Sequence, residues 1–164
     1  MEASRSRENS GSALDCHSNE GTVKVFSKTI TVKTHERTDL VNLSDEIRDF
    51  VEASGVKDGY VQVSSLHTTA GLIVNEWQDA LLTDIKATIE RIVPRDAYYR
   101  HNDPEFSDCD RHNADSHLRT VVLGHSLSVP IDRGQLALGR WQSVILTEFD
   151  GPNQRKVFMQ VFGI

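Results

Sequence analysis

Residues 60–94, YVQVSSLHTTAGLIVNEWQDALLTDIKATIERIVP, carry two hydrophobic periods in one continuous stretch, and the change between them decides the class of fold. Val61 and Val63 stand two apart in Tyr60–Leu66, the spacing of a strand with one wet face. Ala70–Val74 is a short apolar run and predicts a second strand. From about Gln78 the spacing lengthens. Leu82, Ile85, Ile89 and Ile92 share one face of a helix, with Asp84, Lys86 and Glu90 away from it. Pro94, lacking an N–H and crowding the preceding turn, ends that helix.

Toward the N-terminus the same alternation of classes repeats. Leu43, Ile47, Phe50 and Val51 fall at i, i+4, i+7 and i+8, predicting a helix that Asn42 or Ser44 caps and Gly55 stops. Thr34–Thr38 is a polar loop. Before it, Val23 and Val25 and, after a step, Ile30 and Val32 alternate with Lys and Thr as strands do. Toward the C-terminus, residues 94–113 keep no period and are rich in His, Asp and Asn; loops this long are uncommon in compact domains and often functional. A short helix is expected over Ala114–Leu123, packed through Leu118, Val121 and Val122. Strands follow at Ser126–Ile131, Trp141–Phe149 and Gln154–Phe162, with turns at Asp132-Arg133-Gly134 and Asp150-Gly151-Pro152. Strands, then helices between strands, then strands again describe an α+β domain with mainly antiparallel pairing across short connections.

The 164 residues suit one domain. Residues 1–21 are almost wholly polar or small and cannot bury enough apolar surface to offset the entropy of ordering, so a disordered tail is expected ahead of a single domain over 22–164. The net charge of -6 with no Lys/Arg run sets nucleic-acid binding at a disadvantage. No apolar stretch is long enough for a membrane span or a signal peptide. The two cysteines, Cys16 and Cys109, make no disulfide framework, and together these features point to the cytoplasm.

Chemistry is sought among the histidines and their neighbours. His67 ends a strand, where the sheet would fix its position as a metal ligand or general base; a hydrogen-bonded structural histidine is the bland alternative. Asn75 suits a helix cap and Glu76 a positive helix N-terminus, or Glu76 orients a ligating histidine through its free ring nitrogen. His101, Asn102 and Asp103 open the long loop, and His117 follows between His112 and His125. These could nest ligands, yet His67, His101 and His117 are 34 and 16 residues apart and nothing local forces them together. Cys109 stands between Asp108 and Asp110, which disfavour a thiolate, and reads as a bystander. Gly134 suits a φ > 0 turn position, Gly139 a bulge or close backbone approach, and Trp141 the core or a subunit interface. Glu148, Asp150 and Arg155 form either an anion-binding set or a surface ion pair of little worth. No phosphate loop, dinucleotide fingerprint, nucleophile elbow or paired CxxC is present.

Taken in order, the run His67-Thr68-Thr69-Ala70 with Asn75-Glu76, the segment Tyr99–Pro104, Asn113–Leu118, Gly124, Pro130, the stretch Gly139–Gln142, and then Glu148, Asp150-Gly151-Pro152 and Arg155 resemble the YjbQ-like family over residues 23–164. The resemblance implies a sandwich-like β core in a subunit that assembles as a homotrimer. It also implies that His67, His101 and His117 meet at a metal-binding pocket at or near a subunit boundary. Members carry the name secondary thiamine-phosphate synthase, implying a minor activity that couples a pyrimidine diphosphate to a thiazole phosphate. Thr69 stands where Ser is frequent in the family, and Arg140 where Thr is frequent. On this reading a divalent cation, zinc before magnesium, is held by the three histidines. Glu76 and Asp103 are the catalytic candidates. Thr68, Thr69, Asn75, Asn113 and Arg155 would contact a small phosphorylated substrate. The alternative is a non-catalytic trimeric module that binds a metal or anion.

Overall fold

Gly55 adopts φ 68°, the left-handed conformation that ends a helix and that glycine enters without a Cβ penalty. It closes α1 (Ser44–Ser54). At the other end, Asn42 Oδ1 accepts from both the backbone N–H of Ser44, at 2.9 Å, and its hydroxyl, at 2.7 Å. The structure is a computed structural model that describes residues 17–164; residues 1–16, with Cys16 and most of the tail expected to be disordered, lie outside the described residues. The other helices are α2 (Asp79–Ile92) and α3 (Ala114–Leu123).

The strands are β1 (Lys24–Lys33), β2 (Asp39–Asn42), β3 (Gly59–Ser65), β4 (Ala70–Asn75), β5 (Ser126–Asp132), β6 (Gln135–Leu136), β7 (Ser143–Glu148) and β8 (Gln154–Gly163). They form a five-stranded sheet in the order β1-β8-β3-β5-β6 and a three-stranded sheet in the order β2-β7-β4, paired antiparallel throughout. The fold is α+β, as expected. Val61 pairs with Val129 on one side and Val161 on the other, and these valines join Leu72 and Leu146 of the smaller sheet and Ile47, Phe50 and Val51 of α1 in one core. The period of two turns the alternate residues outward, where Tyr60 and Phe162 stack with ring centroids 5.2 Å apart.

Four local expectations change. The two N-terminal strands are one: Ile30 and Val32 turn toward the core, and Val25, of opposite parity, turns out. In α2 only Ile89 is fully buried and Ile92 is exposed; the side-chain cap is Gln78, whose Oε1 accepts from Leu81 N at 2.8 Å, while Asn75 binds only the N–H of Glu76. Trp141 precedes β7 in a turn and is 62% exposed, so it is no part of this chain's core. The largest correction concerns α3. Its helical bounds are as expected, but Leu118, Val121 and Val122 point outward and Asp115, Ser116, Arg119 and Thr120 point in. Polar partners decide this. Ser116 Oγ donates to Phe149 O at 2.7 Å, Arg119 Nη2 donates to Val93 O at 3.0 Å and pairs with Glu90, and Asp115 lies 3.4 Å from Arg119 Nη2 and 3.6 Å from Arg37 Nη2. No helix among the described residues is long and apolar enough to cross a membrane.

Candidate functional site

Alternation along β8 puts Arg155 on the same face as Val157, Met159 and Val161, so the strand carries a guanidinium into the protein interior. Its partner is Glu148 at the end of β7, completely buried, which accepts from Arg155 Nε and Nη2. Thr34 Oγ1, at 3.1 Å, and the backbone N–H of Asp150, at 2.8 Å, occupy the remaining lone pairs of that carboxylate. Arg155 Nη2 also donates to Thr69 Oγ1 at 3.0 Å. A surface ion pair of little worth is thereby ruled out; Glu148 and Arg155 form a hydrogen-bonded pair inside the fold.

Asp150 is a second hub. It accepts from Asn113 Nδ2 at 2.8 Å, Arg111 Nε at 2.9 Å and Arg37 Nη1 at 3.3 Å. The long loop is thus tied down over the β7–β8 turn, and a cavity of about 460 Å³ opens between them. His67, His101 and His117 all line it, with Thr68, Thr69, Asn113 and Arg155. Cys109, Arg111 and Asn153 line it too. Arg111 and Asn153 had no signal in the sequence beyond their type, since each acquires its place through Asp150, 39 and 3 residues away.

Two expected members stand elsewhere. Ala70 pairs with Glu148 at the site end of β4, whereas Asn75 pairs with Ser143 at the other end. Five residues of strand put Asn75 and Glu76 about 16 Å away within this chain. Asp103 accepts from Tyr98 Oη at 2.7 Å and from Glu105 N at 2.9 Å, bonds that hold its carboxyl below the usual range and fasten the loop beside the cavity.

The histidines differ in what they offer. His67 Nε2 accepts the backbone N–H of Lys156 at 2.7 Å, which assigns the ring proton to Nδ1. Nδ1–H then faces Arg155 Nη1 at 3.4 Å, two donors with no acceptor between them. His101 and His117 meet edge to face with ring centroids 5.1 Å apart and planes at 89°. As placed, the three do not direct three lone pairs to one point. Among the described residues only His17, Asp58 and Asp132 bring ligand atoms within 4.8 Å of one another, and they are surface groups already joined as ion pairs. Within one chain, then, His67, His101 and His117 do not form a three-histidine metal centre.

Burial chiefly, and then Arg155, holds His67 below its ordinary value; burial and then the charge of His101 do the same to His117. Both rings are neutral at pH 7. The native state takes up protons on them less readily than the unfolded chain, whose histidines titrate near about 6.5. Their contribution to stability is complete above that pH and is lost as pH falls below it through the lower folded-state values. The melting temperature is expected to fall between pH 7 and 5, and the H67Q/H117Q protein to show a shallower fall. An unchanged slope in thermal melts of the double variant would contradict this.

A model of the family described as UPF0047 protein YjbQ-like matches residues 28–164. A UPF0047 protein of Methanothermobacter thermautotrophicus is 37% identical over 141 residues, 86% of this chain and 94% of the relative. UPF0047 protein YugU of Bacillus subtilis is 30% identical over 139 residues, 83% of this chain and 98% of its own length. Among solved structures, a YbjQ-like protein of unknown function from Sulfolobus solfataricus superimposes with a TM-score of 0.81 at 30% identity, covering 87% of this chain and all of the other. An uncharacterised protein from Clostridium acetobutylicum gives 0.74 at 30% identity over 82% of this chain and 98% of its own.

Proposed function

This chain belongs to the YjbQ-like UPF0047 family, and from that premise and the cavity's geometry we propose that it binds a small phosphorylated ligand. One observation carries the reading. Arg155 Nη1 and His67 Nδ1–H face each other at 3.4 Å, and an anionic oxygen between them would accept from both. Thr68 adds a hydroxyl and Arg111 a second guanidinium to the same walls. Such a site would serve the coupling of a pyrimidine diphosphate to a thiazole phosphate that the family name suggests, both substrates being phosphate esters. In that reaction the thiazole nitrogen forms a C–N bond as the C–O bond to diphosphate breaks and diphosphate leaves with the electron pair, and Arg155 and His67 would orient and charge-balance a phosphate.

A second reading is favoured by the His101–His117 pair: these imidazoles are spaced to share one divalent cation, with zinc suited to nitrogen ligands. The two readings respond oppositely to pH. Protonation of His67 and His117 adds positive charge around an anion but removes lone pairs from a metal. Sulfate, whose charge is constant over the range, is expected to bind roughly tenfold more tightly at pH 5.5 than at pH 7.5, as one added nearby charge is worth about 1.4 kcal/mol or more. Zinc affinity is expected to fall over the same interval. Calorimetric titrations at both pH values decide between them; sulfate affinity independent of pH sinks the anion reading.

The homotrimer that the family implies is part of the proposal. Val25, Phe162, Tyr60 and Pro130 lie side by side across β1, β8, β3 and β5 on the outer face of the larger sheet, where Val25 is 53% and Tyr60 44% exposed. A second copy would cover this row. A native mass of three times the 18.4 kDa chain is expected.

A further inference from the structure

Asp58 immediately precedes β3, at the end of that strand opposite His67. Beside it stands the turn between β5 and β6, where Asp132 pairs with Gln135 and where Arg133 and Gly134 adopt φ 51° and 82°, the two left-handed residues of a tight hairpin. Gly134 N donates to Lys57 O at 2.8 Å and binds this turn to the approach of β3. His17 arrives from the N-terminal segment, and its Nε2 lies 3.1 Å from Asp58 Oδ1 and 3.4 Å from Asp132 Oδ1. One nitrogen thus faces two carboxylate oxygens, and a single N–H satisfies only one of them well. Even a protonated ring brings one positive charge to two carboxylates, where a divalent cation brings two. Asn19 Nδ2 donates to Asp58 Oδ2, which leaves Oδ1 to the ring, and the backbone of Arg133 bonds Asp58 as well. The Arg133 side chain is the nearest competing cation, its Nε 4.0 Å from Asp132 Oδ1 and too far for a direct hydrogen bond to that oxygen.

We infer that His17, Asp58 and Asp132 form a binding site for a divalent transition cation of the zinc class, which fastens the N-terminal segment to the end of the larger sheet. One ligand atom from each residue lies within 4.8 Å of the other two. Donors about 2.0–2.1 Å from zinc, set at tetrahedral or octahedral angles, are roughly 2.9–3.4 Å from one another. Both distances to His17 Nε2 fall in that range, so the side chains stand nearly where the ion needs them. An imidazole among two carboxylates selects zinc over calcium and magnesium, which take oxygen ligands. The ion takes the Nε2 lone pair, the remaining ring proton sits on Nδ1, and a ring that was protonated releases one proton to solvent. The three side chains are 44%, 21% and 51% exposed, which leaves water free to complete the coordination shell. Residues 17–23 form no helix or strand, so side chains such as His17 and Asn19 hold them to the domain. An ion joining His17 to Asp58, 41 positions away, closes a long loop, the case in which a metal clip removes most entropy from the unfolded chain. His17 precedes residues 28–164, which match the family model, so the site depends on a segment outside the matched domain.

Calorimetric titration of the full chain with zinc chloride tests this, in an H101A/H117A background where the two cavity histidines cannot contribute. That protein is expected to bind one equivalent of zinc, about tenfold or more tighter than calcium or magnesium. Adding H17A or D132N weakens zinc binding by about tenfold or more. In the parent chain, H17A alone removes one equivalent of zinc, a reading that does not depend on the cavity variants. Hydrogen exchange of the amides of residues 18–22 in the parent slows on addition of zinc and does not slow in H17A. If H101A/H117A is folded and binds no zinc whereas the parent does, the inference falls and the cavity histidines hold the ion. Zinc affinity unchanged by H17A and D132N overturns it by placing the ion on other groups. Equal affinities for zinc, calcium and magnesium remove His17 from the site and overturn it too. A native mass that rises with zinc in the parent but not in H17A shows an ion bridging two copies, which overturns the clip within one chain.

Discussion

Replacing Arg155 by methionine is expected to lower the free energy of unfolding by about 3–5 kcal/mol, the cost of leaving one member of a buried ion pair without its partner. Methionine preserves much of the length and volume, so packing against Val157 and Met159 of the same strand is not the main loss. What changes is Glu148. Its carboxylate is fully buried, and without the guanidinium it retains only the Thr34 hydroxyl and the Asp150 N–H as donors. Two neutral donors do not replace a charged bidentate one. The double variant E148Q/R155M removes both charges and is expected to recover at least half of the loss, because the penalty belongs to the uncompensated ion more than to the absent bond. Urea unfolding of the two single variants and the double variant forms a complete thermodynamic cycle. A loss below about 1 kcal/mol for R155M would place the pair in the range of exposed ion pairs and contradict the burial described here. Sulfate binding is read on the same proteins, and R155M is expected to lose it altogether.

The second large effect is expected at Gly151, whose φ lies outside the left-handed region and which has no room for a side chain. A Cβ there would lie 2.2 Å from Glu36 O, 2.9 Å from Glu148 Cγ and 3.1 Å from Thr34 Oγ1. Retreat is blocked because the two segments are stitched together: Gly151 N donates to Arg37 O at 3.0 Å, Thr34 N to Asn153 O at 2.9 Å, and Asn153 N to Thr34 Oγ1 at 2.8 Å. G151A must push the 34–38 loop away from the β7–β8 turn, which is expected to cost about 1–3 kcal/mol as overpacking does. The same displacement draws Arg37 from Asp150 and loosens the floor of the cavity, so sulfate affinity is expected to fall together with stability. G55A provides the contrast. Nothing lies within 4 Å of a Cβ there, but φ is +68°, so the variant is expected to lose about 1 kcal/mol through backbone conformation alone and to bind sulfate normally. Equal binding by G151A and the parent would show that this turn does not shape the site.

These expectations could not have been written from the sequence, although much else could. The helix over Ser44–Ser54 follows from Leu43, Ile47, Phe50 and Val51 at helical spacing and from Gly55. The strand over Gly59–Ser65 follows from Val61 and Val63 at a spacing of two. The ordered motifs from His67 to Arg155 identified the family, which the matches to residues 28–164 bear out. The spacing of His67, His101 and His117 left their meeting in one cavity open, and there the resemblance supplied what periodicity could not. Spacing also misplaced the packing face of α3. Leu118, Val121 and Val122 obey the helical period, but the period only says that they share a face, and the hydrogen bonds of Ser116 and Arg119 decide which face turns inward.

The sequence by itself determined the three helices and the strands β3, β4, β5, β7 and β8 to within a few residues, because helical and strand periods, caps and turn conformations are settled by residues within a few positions of one another; the short strands β2 and β6 and the continuity of β1 came only with the structure. Tertiary structure alone decided that Glu148 and Arg155 are buried together, that Asp150 gathers Asn113, Arg111 and Arg37, that a backbone N–H takes the lone pair of His67, and that Asn75 and Glu76 stand at the far end of their strand. Apart from Glu148 and Arg155, seven residues apart across the β7–β8 turn, and the length of β4 itself, these are contacts between segments tens of residues apart. Such distances are set by how two antiparallel sheets and three helices close on a shared core, and no local spacing encodes them.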